Sequence, residues 1–121
     1  MKVIVTGSRK LRNAQQVFDA LWAVYHEHGA FQLIHGACAT GADDLASYWY
    51  RVAGKELGCT EQRWPASWEA LGKAAGPERN RNMVNAGADL VLAFPLPEGS
   101  GTQHTIRLAR EAGIEVKEFT P

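Results

Sequence analysis

Val3-Ile4-Val5-Thr6-Gly7-Ser8-Arg9 is a β-branched run that stops at a glycine and gives way to a hydroxyl and a guanidinium. An unbroken aliphatic run without polar alternation reads as a strand covered on both faces. The same passage from strand to small-residue turn to helix start occurs twice more. Gly36-Ala37-Cys38-Ala39-Thr40-Gly41 follows Phe31 to His35, and Pro97-Glu98-Gly99-Ser100-Gly101-Thr102 follows Leu90 to Phe94. In a parallel sheet all three turns emerge at the carboxyl ends of the strands, the edge where open α/β sheets bind ligands. Glycine there admits close backbone approach, and free helix amides favour an anion. The pattern predicts a site for a phosphate-bearing molecule.

Outward from these turns, the chain alternates strands and helices. Asn13 is placed to cap a first helix with Val17, Phe18, Leu21, Val24, Tyr25 and His28 at helical spacing, stopped by Gly29. Thr40 opens a second helix with a stripe of Ala42, Leu45, Ala46, Trp49 and Ala53, ended by Gly54 or Gly58. Thr60 to Trp64 reads as a third strand, followed by an irregular stretch to Gly76 and a short helix from Pro77 to about Asn85. A last helix spans Thr102 to Ala112, and a fifth strand lies within Ile114 to Phe119. Strands one, two and four are apolar throughout, whereas three and five carry charges, as edge strands do. Right-handed crossovers then predict a five-stranded parallel sheet in the order 3-2-1-4-5, in one α/β, three-layer domain over residues 1–121. The first and last turns flank the crevice where the strand order reverses.

The chain has 121 residues with 13 acidic and 13 basic side chains, so its formal charge is zero. That balance offers no broad basic face for a nucleic-acid backbone. Cys38 and Cys59 lack metal-site or disulfide-framework spacing and read as reduced thiols. The start at Met1 runs into a strand without a signal-peptide pattern, and the longest apolar run is far short of a membrane span. The expectation is a cytoplasmic, soluble protein with no membrane partner.

Each turn has its own chemistry. Gly99, Ser100, Gly101 and Thr102 can offer several amides and two hydroxyls to phosphate. Gly36 and Gly41 have P-loop spacing, but Ala42-Asp43 stands in place of its Lys-Ser/Thr pair, which argues against a P-loop nucleotidase. Thr40 and Asp43 instead match a capping box, with Asp43 either reaching back to the Thr40 amide or facing a ligand. Gly7, Ser8 and Arg9 lack the dinucleotide GxGxxG fingerprint, but Arg9 is a candidate phosphate fork. Trp68 is read either as a lid over a base or, with Trp64, as a cover for the sheet edge; Lys73, Arg79 and Asn80 follow it. His26 and His28 are two apart and form no metal pair. His35 points either to the site or into the sheet, and His104 is read as weakly placed. No metal and no cofactor is expected.

Together these segments resemble the SLOG superfamily, a Rossmann-like fold shared by the DNA-processing protein DprA and the cytokinin-activating LOG phosphoribohydrolases. The nearest likeness is to its YspA/cpYpsA-related group. The likeness rests on Thr6-Gly7-Ser8-Arg9, on His35-Gly36 with Gly41-Ala42-Asp43, on Trp68 with Gly72-Lys73-Ala74-Ala75-Gly76-Pro77-x-Arg79-Asn80 and Met83, and on Gly99-x-Gly101-Thr102. It implies binding or sensing of a nucleotide, nucleoside-phosphate or ADP-ribose-like ligand through Gly7, Ser8, Arg9, Gly36, Gly41, Asp43, Trp68, Lys73, Arg79, Asn80, Gly99, Ser100, Gly101 and Thr102. LOG enzymes carry a PGGxGTxxE motif, and this chain has Glu98 at the second position and Thr105 where the catalytic glutamate belongs. Glycosidic cleavage needs a carboxylate that threonine cannot replace, unless Glu98, Asp43 or Asp44 takes its part. A LOG-like hydrolase and a DprA-like nucleic-acid module are the alternatives. By analogy with relatives of this fold, a homodimer is expected.

Overall fold

The computed structural model describes residues 1–97 and 100–121. Five strands form one parallel sheet: β1 (Lys2–Gly7), β2 (Gln32–His35), β3 (Thr60–Arg63), β4 (Leu90–Phe94) and β5 (Glu115–Glu118). Their order is β3-β2-β1-β4-β5, as the edge charges require. Ile4 pairs with Ile34 on one side and Val91 on the other, and Gly7 lies opposite Phe94 at the carboxyl end. Helices α1 (Ala14–His28) and α2 (Ala42–Trp49) cover one face, while α4 (Ala75–Asn85) and α5 (Ser100–Glu111) cover the other.

The two faces divide the central strands residue by residue. Val3, Val5, Leu33, Leu92 and Phe94 pack with Val17, Leu21, Ala46 and Trp49 from α1 and α2. Ile4, Ile34, Val91 and Ala93 pack with Met83 and Val84 of α4 and with Ile106 and Ala109 of α5. Val3, Ile4 and Val5 are all fully buried, so neither face of β1 tolerates a polar side chain. Most residues of β3 and β5 are exposed.

Several boundaries differ from the sequence reading, each for a local reason. Asn13 does cap α1, its side chain accepting from the Gln16 amide at 3.2 Å, and Gly29 ends the helix at φ 82°. His28, however, is exposed and not part of the apolar stripe. Gly41, not Thr40, caps α2, and Asp43 accepts from the Cys38 amide, so the expected capping box is absent. Beyond Trp49 the helix widens into a π-turn, Tyr50–Gly54, where Gly54 lies under the Trp49 ring. The stretch read as irregular contains a short helix, α3 (Trp68–Leu71), and a 3₁₀ turn, Gly72–Ala74. Neither buries a residue, so apolar spacing could not reveal them. Helix α4 begins two residues before Pro77, which sits in the first turn where no helical N–H is needed. Helix α5 begins at Ser100, so Ser100, Gly101 and Thr102 form its first turn.

Candidate functional site

At the β1/β4 switch point a cleft of about 980 Å³ opens at the carboxyl edge of the sheet. Its volume matches the upper range of small-ligand sites. Of the residues expected from sequence, Gly7, Ser8, Arg9, Asp43, Trp68, Lys73, Arg79, Asn80, Ser100, Gly101 and Thr102 line it. Gly36 and Gly41 do not line it but are built into its walls. Gly99 and Glu98 lie outside the described residues.

The first turn is held in place by backbone contacts. The Ser8 amide donates to the Phe94 carbonyl at 3.3 Å, and the Ser8 carbonyl accepts from the amides of Leu11 and Ala42. Gly7 is hemmed in: a Cβ there would stand 2.6 Å from the Ala42 Cβ and 2.9 Å from the Phe94 carbonyl oxygen. Gly41 passes directly beneath the turn at φ 77°. The two glycines therefore let α2 start against the end of β1, which puts Asp43 within the cleft.

The second turn carries a strained residue. Ala37 has φ 58°, the one non-glycine positive φ among the described residues. Its amide donates to Nδ1 of His35 at 3.0 Å, which leaves the proton on Nε2 to bond the Glu61 carboxylate at 2.8 Å. His35 is fully buried, so of the two placements read from sequence it takes the one inside the sheet. Burial pushes the Glu61 carboxyl up. The hydrogen bonds from His35 and Ser47, with the charge of Arg63, outweigh it and hold the group below the ordinary 4.5. A depressed folded-state pKa contributes stability that is present above about pH 4.5 and lost as pH falls through the folded value. Glu61→Gln is accordingly expected to melt lower near pH 7 but to show a flatter acid limb, the two melting curves converging toward pH 3. Parallel curves between pH 7 and pH 3 contradict this.

Arg79 ties the middle turn to the opposite wall. Its Nη1 donates to the carbonyls of Gly36 at 2.5 Å and Trp64 at 3.3 Å, and its Nε donates to Oδ1 of Asn80 at 2.8 Å. Asn80, buried, passes the link on through Nδ2 to the Gly101 carbonyl at 3.5 Å and to Nδ1 of His104 at 3.3 Å. One chain of hydrogen bonds thus joins the end of β2, the start of α4 and the first turn of α5. Asn80 spends its side chain on this bridge. Gly36 is glycine for the same reason, since a Cβ would lie 2.6 Å from the Arg79 Cζ and 3.0 Å from the Asp43 Oδ2.

The two loop tryptophans separate. Trp64 is half-buried against the α4/α5 side of the core, the sheet-cover role, while Trp68 is 47% exposed and faces the cleft. The Arg9 guanidinium lies 5.0 Å above the Trp68 ring, a cation–π contact that bridges the first turn to α3. Gly76 lets the ring edge settle on α4, its position for a Cβ being 3.2 Å from the indole.

Thr6, Lys10, Cys38, Gln103, His104 and Arg107 also line the cleft. Lys10 and Arg107 carried no motif signal, and His104 could be recognised only with Asn80 beside it. Burial lowers the His104 pKa, reinforced by Arg107 and Arg81 against a small opposing pull from Glu111, so the ring is a neutral acceptor at pH 7. Burial, then the Asp43 charge, pushes the Cys38 thiol up, which makes it a protonated side chain and a poor nucleophile. The cleft collects five cations, Arg9, Lys10, Lys73, Arg79 and Arg107, although the chain as a whole is neutral. Among the described residues one carboxylate lines it, that of Asp43. Asp44 is exposed and lies on a separate hollow beside Thr40 and Gly41. Thr105 is fully buried and its hydroxyl donates to the Gly101 carbonyl at 3.3 Å, turned into the helix and away from the cleft.

The class defined by this arrangement is an α/β domain with a cleft at the switch point of a parallel sheet. The family model described as YAcAr, the YspA, cpYpsA-related SLOG family, matches residues 1–71. The chain is also 42% identical over 120 residues to the Gene 61 protein of Mycobacterium phage D29, an alignment covering 98% of this chain and 95% of that protein. The chain belongs to the YspA, cpYpsA-related SLOG family, and this membership supports a nucleotide-related function. No helix among the described residues is long and apolar enough to cross a membrane.

Proposed function

We propose that this protein binds or senses a small nucleotide-type ligand, a nucleoside phosphate or an ADP-ribose-like molecule, in the switch-point cleft. The observation that carries the reading is the concentration of five cations around the first turn of α5 in a chain of zero formal charge. Ser100, Gly101 and Thr102 bring first-turn amides and hydroxyls there, and Ser8 and Arg9 line the cleft from the turn after β1. Charge-assisted bonds contribute about 1.5–3 kcal/mol each, so two or three phosphate contacts need the further contacts of sugar and base to offset the cost of association. Trp68 supplies an aromatic face for a base. Binding is favoured over glycosidic hydrolysis because the LOG acid position is Thr105, buried and bonded to Gly101. Five cations confined to one cleft suit a mononucleotide-sized anion better than a nucleic-acid strand. In the same reading two copies pair in solution, which sedimentation checks independently of ligand.

Calorimetry of the whole chain against nucleoside mono- and diphosphates and ADP-ribose tests the proposal, with product analysis of the same samples. The expected result is saturable heat, a raised melting temperature and unaltered ligand. Absence of heat and of any melting shift across the series rejects binding, while release of free base or phosphate makes the protein a hydrolase.

A further inference from the structure

Among the described residues Asp43 is the one carboxylate in a cleft suited to anions. Only 6% of the residue is exposed, and what is exposed faces the cleft. Its Oδ2 accepts from the Cys38 amide at 3.3 Å, the Cys38 thiol also hydrogen-bonds the carboxylate, and among the described residues it forms no ion pair. A carboxylate has about four lone-pair positions, so a buried one served only by the Cys38 amide and its weakly donating thiol is short of donors. Arg79 stands nearby but directs its Nη1 and Nε to Gly36, Trp64 and Asn80. A phosphate cannot satisfy Asp43, because it brings only acceptors and negative charge. The group that fits is a hydroxyl donor carried by the same ligand.

The position of Asp43 says which hydroxyl. The residue before it, Ala42, donates its amide to the Ser8 carbonyl at 3.3 Å, so Asp43 lies directly behind the phosphate turn of β1. Trp68, the surface for a base, belongs to α3 in the outer wall. In a 5′-nucleotide the donors nearest the phosphate are the sugar hydroxyls, and the base lies beyond them. We infer that Asp43 is a specificity-determining residue that accepts a hydrogen bond from a ribose hydroxyl, so that the ligand class is a ribonucleotide and not a deoxyribonucleotide or a bare phosphate. This rests on the nucleotide reading above and narrows it.

The test titrates the whole chain with the four ribonucleoside 5′-diphosphates and with their 2′-deoxy and 3′-deoxy counterparts. A hydrogen bond to a buried carboxylate predicts that loss of the recognised hydroxyl weakens binding by about tenfold or more. In Asp43→Ala the gap should close. Deoxy ligands should then bind the variant at least as well as the wild type, because removing a negative charge does not harm phosphate contacts. That last sign separates ligand contact from a merely structural role, which would weaken both series together. Asp43→Asn keeps an acceptor without the charge, and should leave a gap of a few-fold. Equal affinity of the two series for the wild type, a gap that follows the base instead of the sugar, or a gap that survives in Asp43→Ala overturns the inference alone. The wild-type comparison decides even where a variant does not fold. If neither series binds, the nucleotide reading falls with it.

Discussion

Gly41→Ala is expected to destabilise the protein by about 2–6 kcal/mol, a large part of the stability of a typical domain. Two costs combine at this position. Its φ of 77° and ψ of −149° lie in a region adopted almost only by glycine, which alone costs about 1–3 kcal/mol for another residue. A Cβ would also collide with the Ser8 carbonyl oxygen and stand 2.5 Å from the Arg9 Cα, which are backbone atoms that cannot rotate away. Relief of such overpacking costs a similar 1–3 kcal/mol. Gly29 provides the comparison, since it has nearly the same dihedrals, φ 82° and ψ −159°, but nothing within 4 Å of a Cβ. Urea unfolding should therefore show Gly41→Ala to be clearly more damaging than Gly29→Ala. Equal losses would mean that the first turn does not rest on α2 as described.

The second large effect is expected at Arg79. Arg79→Met keeps much of the side-chain volume but orphans the Gly36 and Trp64 carbonyls and the Asn80 amide oxygen. Leaving such partly buried acceptors without a donor costs about 1–3 kcal/mol each where water cannot enter, so a loss of roughly 2–5 kcal/mol is expected. The larger consequence is for binding, because the wall joining β2, α4 and α5 loses its fastener along with a cation. Nucleotide affinity should fall by about a hundredfold. Arg79→Lys should rescue little of either, since a single ammonium cannot reproduce the guanidinium fork that reaches three acceptors. Titration and unfolding of both variants check this, and near-normal binding by Arg79→Met would show that the bridge is dispensable.

Much of this architecture is legible in the residues themselves. The sheet order follows from where the charges fall: Glu61 and Arg63, and Glu115, Lys117 and Glu118, can lie only on edges, and the runs at Val3, Leu33 and Leu90 only inside. The three turns then come to one edge by topology, which is why most of the residues expected from sequence meet in one cleft. What was not legible depends on contacts far apart in the chain. Asn80 looks like a ligand donor until Arg79, Gly101 and His104 are seen to consume its amide. Gly36 looks like a turn glycine, but the space it leaves is taken by a side chain 43 positions away. Thr40 and Gly41 are both acceptable caps, and the choice between them is made by the Ser8 and Arg9 backbone lying over Gly41. The short helix at Trp68 left no periodic trace because it buries nothing, and its place is fixed by Arg9 and Gly76.

The central claim, that the β1/β4 cleft is the ligand site, is tested most directly by mapping backbone amide shifts during a titration with a ribonucleoside diphosphate. The account predicts saturable shifts concentrated at Gly7–Lys10, Cys38–Asp43, Lys73–Asn80 and Ser100–Arg107. Saturable shifts centred instead on the exposed Tyr48 and Val52 side of α2 and its π-turn, or on the β5 edge, would contradict it.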